Sequence, residues 1–260
     1  MSYETIKYER EGGIALVTLN RPESLNAINV KMIGELEQAI DAIAADDEVR
    51  AVIVTGGSKV FSVGADVKEI LATPENSVPR LIAKGPLPLF EKMTNLTKPT
   101  IAAISGPAFG GGCELALVCD LRIASATATF ALAEIKLGVI PSAGGTVRLP
   151  RLVGSAKAKE MIFFGDPIGA EEAYRIDFVN KIVPAESLEE EAKKWARTLA
   201  KRPPLALKAA KSCINVGMQM DLPAAAVFES REAALLIDTE DVAEGLKAFA
   251  EKRQPVFKGR

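Results

Sequence analysis

Histidine is absent from this chain. The commonest biological proton carrier is therefore unavailable, and acid–base chemistry falls naturally to carboxylates. Cysteine is scarce: Cys113, Cys119 and Cys213 form no C-x-x-C pair. Without histidine, that leaves no ordinary zinc-ligand set, so no metal site is expected. A sparse, odd cysteine count in apolar settings fits a reducing compartment, and a cytoplasmic location is expected. One tryptophan and 5% aromatic residues offer little for stacking on sugars. A basic excess is missing too. Lys and Arg number 32 against 34 Asp and Glu, for a net charge of −2, and the pI is about 5.6. Nucleic-acid binding usually needs a basic field, so no nucleic-acid partner is expected. No apolar run approaches the roughly 20 residues that span a bilayer, so no membrane partner is expected either. Met1-Ser2-Tyr3-Glu4 is too polar and acidic for a signal peptide.

What is present is ordinary for a soluble globular protein. Of 260 residues, 48% are apolar and 25% charged, enough for one large core. Apolar alternation predicts strands over 6–8 and 14–19 around Glu11-Gly12-Gly13. Asn20-Arg21-Pro22-Glu23 breaks that pattern. From Val30 the apolar positions Ile33, Leu36, Ile40 and Ile43 recur at helical spacing. Buried strands are expected over 51–54 and 100–104, and further strands over 121–124 and 178–183. A helix starts at Asp66, an acid favoured at that end. A polar loop is expected over 73–80, then a helix over 81–93. Helices are expected over 188–199, 205–218, 223–236 and 241–253, with Trp195 in the core. Pro203-Pro204 marks a boundary. The expected division is a mixed α/β core over 1–200 and a helical region over 201–260.

The chemistry concentrates between Gly106 and Gly145. Gly110-Gly111-Gly112 lies between a strand-like run and a helix-like run, followed by Cys113-Glu114. A strand, a glycine turn and a helix start leave backbone N–H groups free to face negative charge. The same triplet can equally serve a helix packed tightly on a strand. A dinucleotide site competes, but the G-x-G-x-x-G spacing is absent and the motif lies deep in the chain. Val63-Gly64-Ala65-Asp66 is a second glycine turn into a helix. With the first it could supply a paired donor from Ala65, and two converging donors make an oxyanion hole.

Glu114 opens an apolar helix, and Glu134 follows twenty residues later in Ala133-Glu134-Ile135. Acids at helix starts and in loops are commonly structural. A glutamate buried among Cys113, Leu115, Ala116 and Leu117 would instead have a raised pKa and exchange protons near neutrality. Lys68, Lys252, Arg253 and Lys258 suit phosphates, though a solvated face explains them as well. The cysteines are expected to pack as small hydrophobes.

These residues carry a resemblance. Asn20-Arg21-Pro22…Leu25-Asn26-Ala27 resembles the N-terminal signature of the enoyl-CoA hydratase (crotonase) family. Phe61-x-x-Gly64-Ala65-Asp66-x-Lys68-Glu69 and Gly106-x-Ala108-x-Gly110-Gly111-Gly112-x-Glu114-Leu115-Ala116 are similar to its two oxyanion motifs. Glu134-x-x-Leu137-Gly138-x-x-Pro141-x-x-Gly144-Gly145 is similar to the segment bearing its second acid, and Phe249-x-Glu251-Lys252-Arg253 to its C-terminal motif. The similarity runs from about residue 5 to 258.

The resemblance implies an α/β fold: a crotonase (ClpP-like) spiral of ββα units with a C-terminal helical region that completes a homotrimer, commonly paired into a hexamer. It implies an acyl-CoA substrate, with CoA part of that substrate and no separate cofactor. It implies that the N–H groups of Ala65 and Gly111 hold the thioester oxygen and that Glu114 and Glu134 are the catalytic acids. Leu25, Ala27, Asp66 and Lys68 would line the CoA path. Phe249 and Lys252 would reach the same nucleotide, from this subunit or a neighbouring one. Ser142 and Val147 depart from the glycine and glutamine common there, and they bear on acyl preference.

Both acid positions are filled, whereas isomerases, hydrolases, decarboxylases and dehalogenases of the family often lack one. Hydration of a 2-enoyl-CoA is therefore the expected reaction. The residues leave open which glutamate gives the proton; the resemblance favours Glu134. Alternatives are a 3-hydroxyacyl-CoA dehydratase, a hydratase of cyclic or branched enoyl-CoA, an isomerase and an RNA-binding relative. A glycosidase also uses two carboxylates, but the scarcity of aromatics weighs against it.

Overall fold

The structure is a computed structural model and describes residues 3–74 and 85–260. Nine strands are described: β1 (Ile6–Glu11), β2 (Ile14–Leu19), β3 (Ala51–Thr55), β4 (Thr100–Ile104), β5 (Pro107–Phe109), β6 (Leu121–Ser125), β7 (Thr129–Ala131), β8 (Ile168–Gly169) and β9 (Lys181–Val183). The helices of the first half are α1 (Val30–Ala45), α2 (Val67–Ala72), α3 (Leu87–Asn95) and α4 (Gly111–Val118). Then come α5 (Gly145–Val153), α6 (Ser155–Phe164), α7 (Ala170–Arg175) and α8 (Leu188–Ala200). The last three are α9 (Pro204–Gly217), α10 (Leu222–Ala234) and α11 (Glu240–Ala250). None is long and apolar enough to cross a membrane.

β1 and β2 form an antiparallel hairpin, joined by Gly12-Gly13 with φ of 55° and 81°. Two consecutive positive φ values suit the tight turn that matches strand twist. The larger sheet runs β1-β2-β3-β4-β6-β9, parallel from β2 onward. A parallel sheet must be covered on both faces. Val52, Val54, Ala102 and Ile104 face the main core with α1 and α3. Ala51, Ile53, Ile101 and Ala103 alternate to the other face beneath α8. Trp195 is half-buried at the edge of that second core, and its Nε1 donates to Glu191 Oε1 at 2.8 Å. Cys113 and Cys119 are fully packed; Cys213 is half-buried.

The smaller sheet, β5-β7-β8, reveals the repeat. Three times a strand of the large sheet is followed by a short extended segment and then a helical turn. β3 leads to Phe61-Ser62 and α2, β4 to β5 and α4, and β6 to β7 and a 3-10 turn at Glu134–Leu137. The short segments lie side by side, with Ser62 bridging Ala108 and Ala108 opposite Phe130, all parallel. Successive ββα units thus coil as a spiral, and the chain reaches the same corner three times.

Most expected elements form. The strand expected over 178–183 shrinks to β9, because Asp177 takes a positive φ of 61° and turns the chain. Phe178 and Val179 are buried in that turn rather than in the sheet. The helix expected over 81–93 is seen as α3, with Pro86 at its cap and Pro88 in its first turn. The loop expected over 73–80 and the first part of that helix fall mainly on 75–84, outside the described residues. The helices α5 and α6 were not anticipated by periodicity.

Beyond Pro203 the chain is helical, and little of it is buried. α9 buries only Ala209, and α10 buries nothing. Polar ties hold this region to the rest: Lys211 Nζ to Asp120 Oδ2 at 2.8 Å and Arg50 Nη2 to the Lys258 carbonyl at 3.2 Å.

Candidate active site

The three corners of the spiral bring together Gly64-Ala65, Gly110-Gly111 and Glu134. Ala65 pairs with Ile28 in a parallel bridge. Ile28 N–H donates to the Gly64 carbonyl at 2.7 Å, and Asp66 N–H donates to the Ile28 carbonyl at 3.0 Å. Peptide groups alternate along an extended segment, so the N–H of Ala65 points the opposite way. Gly111 lies on that side: a methyl group at Gly111 would sit 3.7 Å from the Ala65 nitrogen. Gly111 opens α4, so its N–H has no acceptor within the helix. Neither N–H has an acceptor among the described residues, and the two border one small space.

Glycine is required around that space more than within it. Gly64 has φ +92°, and a methyl there would lie 2.8 Å from the Phe109 carbonyl oxygen. A methyl at Gly112 would lie 2.4 Å from the Ser62 carbonyl oxygen. Gly111 itself has no left-handed φ and would meet nothing nearer than 3.7 Å. The room at Gly111 is open to an incoming atom.

Glu114 is only 4% exposed. Its Oε1 accepts from the N–H groups of Ala143 and Gly145, both at 2.8 Å. These donors form the glycine turn that opens α5, so the carboxylate sits on a helix N-terminus. Burial raises its pKa; the Gly145 and Ala143 N–H groups and the charge of Arg148 oppose that. Glu134 opens the 3-10 turn, and its Oε1 lies 3.1 Å from where a methyl on Gly110 would be. Its Oε2 is buried without a hydrogen-bond partner among the described residues. Burial pushes Glu134 up to about 7, and the Glu114 charge adds to this against the residue's own backbone N–H. Two carboxyls therefore flank the Gly110–Gly112 turn in unlike settings. One is held by two donors that favour its anion, and the other keeps a buried oxygen, Oε2, without a partner among the described residues.

The residues expected on a CoA path divide. Leu25 and Lys68 are exposed, and Ala27 is buried beside them. Leu25 and Asn26 take left-handed φ of 53° and 55°. Buried Asn26 stabilises that bend by donating to the carbonyls of Gly56 and Val60, both at 3.0 Å. The Asp66 side chain is committed internally. It caps α2 through the N–H groups of Lys68 and Glu69 and pairs with Arg21 Nη1 at 2.9 Å. Phe249 is 87% exposed on α11. Neither it nor Lys252 bonds to the loops at 25–28 or 65–68 among the described residues. Arg253 and Lys258, read from sequence as possible phosphate ligands, pair with Glu244 and Glu240. Ser142 and Val147 are exposed beside the α5 turn.

Sequence reasoning assigned no role to Ala143, Gly145 or Arg148. The glycine turn was visible, but nothing local says that a helix thirty residues on will meet Glu114.

Residues 9–260 match the model of the family described as Enoyl-CoA hydratase/isomerase. The short-chain-enoyl-CoA hydratase of Clostridium acetobutylicum is 43% identical over 98% of this chain and 97% of its own. The crotonyl-CoA hydratase of Syntrophomonas wolfei is 41% identical over 99% of each. The crystal structure of an enoyl-CoA hydratase from Bacillus anthracis superposes with a TM-score of 0.95 at 39% identity, covering 99% of this chain and all of that one. The expected fold class is borne out, and the chain belongs to the enoyl-CoA hydratase/isomerase family.

Proposed function

We propose that the protein is an enoyl-CoA hydratase that adds water across the C2=C3 bond of a short-chain 2-enoyl-CoA, giving the 3-hydroxyacyl-CoA. The observation that carries this is the pair of buried carboxyls, Glu114 on two N–H donors and Glu134 with an unpartnered Oε2 among the described residues, beside the Ala65 and Gly111 N–H groups. The thioester oxygen accepts from Ala65 and Gly111. Electron density from the double bond flows into that oxygen as the water oxygen bonds to C3, and the donors favour the enolate-like transition state. Glu114, supported by two N–H groups, is the ionised member and takes the water proton. Glu134, with its Oε2 buried and unpartnered among the described residues, is the protonated member and gives its proton to C2. A net proton transfer from Glu114 back to Glu134 resets the site. The pair titrates as a unit.

CoA enters as part of the substrate. Leu25, Ala27, Lys68 and the backbone of Asp66 lie along its nucleotide. Phe249 and Lys252 contribute from a neighbouring subunit, consistent with their distance in bonding from the 25–28 loop. The region after residue 200 then serves as the assembly region of a homotrimer or dimer of trimers. Three unpaired cysteines support a cytosolic setting.

Mixing the protein with crotonyl-CoA tests the reading. Loss of the conjugated thioester's ultraviolet absorbance, with 3-hydroxybutyryl-CoA formed, is expected. No loss on any 2-enoyl-CoA of a chain-length panel, with conjugation appearing from a 3-enoyl-CoA instead, would make it an isomerase.

A further inference from the structure

Arg148 stands in the first turn of α5, three residues after Gly145. Its N–H donates to the Gly144 carbonyl at 2.7 Å. Its side chain folds back over Gly144: a methyl there would lie 2.8 Å from Nε and 3.0 Å from Cδ. Gly144 is the residue between Ala143 and Gly145, whose N–H groups hold Glu114. The Arg148 Nε is buried without a partner among the described residues, an arrangement that is unfavourable unless the position serves something else. At the outer end of the guanidinium, Nη2 donates to Glu91 Oε1 of α3 at 2.7 Å. Glu91 is the more solvated partner, with its side chain 54% exposed.

We propose that Arg148 is a positioning residue for Glu114: it braces the turn that holds the carboxylate and supplies the positive charge that keeps it ionised, while Glu91 moderates that charge from the far side. The proposal rests on the hydration reading, in which Glu114 must be an anion.

The other charged groups around Glu114 do not duplicate this role. Glu134 faces it from the 3-10 turn and opposes its ionisation. The Cys113 thiol on its own helix is pushed up by burial and stays neutral. Arg122 is buried at the opposite end of α4, bonded to the Ala116 and Cys119 carbonyls. On α3, Lys92 is paired with Asp41. On α5, Arg151 donates back to the Val147 carbonyl at the surface. Among the described residues, the Arg148 charge is the cation that acts on Glu114, lowering its proton affinity against burial.

The test is the kcat–pH profile for crotonyl-CoA in the wild type, Arg148→Met, Arg148→Lys, Glu91→Gln and the Arg148→Met/Glu91→Gln double variant. Loss of the cation makes Glu114 harder to ionise, so the acidic limb of Arg148→Met moves to higher pH. Removing Glu91 leaves the cation unmoderated, so the limb of Glu91→Gln moves to lower pH. Arg148→Lys returns the limb toward the wild type. The double variant matches Arg148→Met, because Glu91 acts through Arg148. Plateau kcat stays well above the roughly 10²-fold loss that follows removal of a proton carrier. A merely structural ion pair would move both single variants alike, or neither, and either outcome overturns the proposal. If Arg148→Met fails to fold, an unshifted limb in half-exposed Glu91→Gln overturns it alone. A wild type without hydration activity overturns the hydration reading itself, a result distinguishable from the others.

Discussion

At the scale of single residues, the two glutamates differ in what surrounds them rather than in what they are. Glu114→Gln and Glu134→Gln are each expected to keep fold and CoA affinity and to lose about 10²–10⁴ in kcat, the usual range for a proton carrier. Near-full activity of either variant on crotonyl-CoA would reject the two-acid mechanism. In the proposed mechanism Glu134 acts in its protonated form, and its pKa is raised to about 7 by burial. Turnover should therefore fall as pH rises through that value. Stability carries the same sign: the folded state holds the proton more tightly than the unfolded chain, so stability falls as pH rises between the unfolded carboxyl value and about 7. The Tm of Glu134→Gln, relative to wild type, should accordingly be higher at pH 8 than at pH 5. Gly111→Val tests the oxyanion donor. The space beside Gly111 is open and its φ is not left-handed; strain on substitution belongs instead at Gly64 and Gly110. The valine should fold, crowd the thioester oxygen and lower kcat more than it weakens a non-reactive acyl-CoA. Unchanged kcat with weaker binding would remove Gly111 from the oxyanion role.

At the scale of elements, the Arg21–Asp66 pair joins the loop at 21–28 to the start of α2. Both side chains are largely buried, 16% and 11% exposed. Arg21 Nη1 also donates to the Ala27 carbonyl at 2.6 Å. Burial raises the Asp66 carboxyl, but bonds from Arg21, Glu69 N–H and Lys68 N–H outweigh it, and the pKa lies below the ordinary value. Asp66→Ala removes a helix cap and leaves Arg21 buried without its carboxylate. A loss of about 3–5 kcal/mol is expected in urea unfolding, the scale of a broken buried pair. Since Ala65 precedes Asp66 directly, kcat should fall as well. A loss below about 1 kcal/mol would mean that Arg21 finds solvent without cost. Local signals announced this element well: the acid at the helix start was legible because capping is a neighbour-to-neighbour interaction. Its partner 45 residues away was not, because Arg21 and Asp66 meet only after β1 to β3 have paired.

At the scale of the molecule, the C-terminal helices leave apolar side chains uncovered. Leu222, Leu235, Ile237, Leu246, Phe249 and Val256 are each more than 60% exposed. Large apolar side chains exposed together in one region of the chain suit burial against another subunit. A homotrimer or hexamer is therefore expected by light scattering at micromolar concentration, and a monomeric mass would reject it. Phe249→Glu should shift the equilibrium toward smaller species, because association would bury the added charge.

The chain alone carried a mixed α/β core with a helical C-terminal region, the glycine turns and two candidate glutamates, because short-range chemistry writes these directly; the spiral and the pairing of the glutamates were implied only by the family resemblance. Strand alternation, turn residues and motif order all act over a few neighbours. The lack of histidine also narrowed the proton carriers to carboxylates. Only the tertiary structure decided that Gly145 and Ala143 would hold Glu114, that Glu134 would keep a buried oxygen without a donor, and that Arg148 would fold over Gly144. The hold on Glu114 joins positions 29 and 31 residues apart in sequence, and it is the closing of the spiral that brings them together. Burial and field at a carboxyl group are sums over spatial neighbours, and sequence order does not carry those sums until the chain has closed around the group.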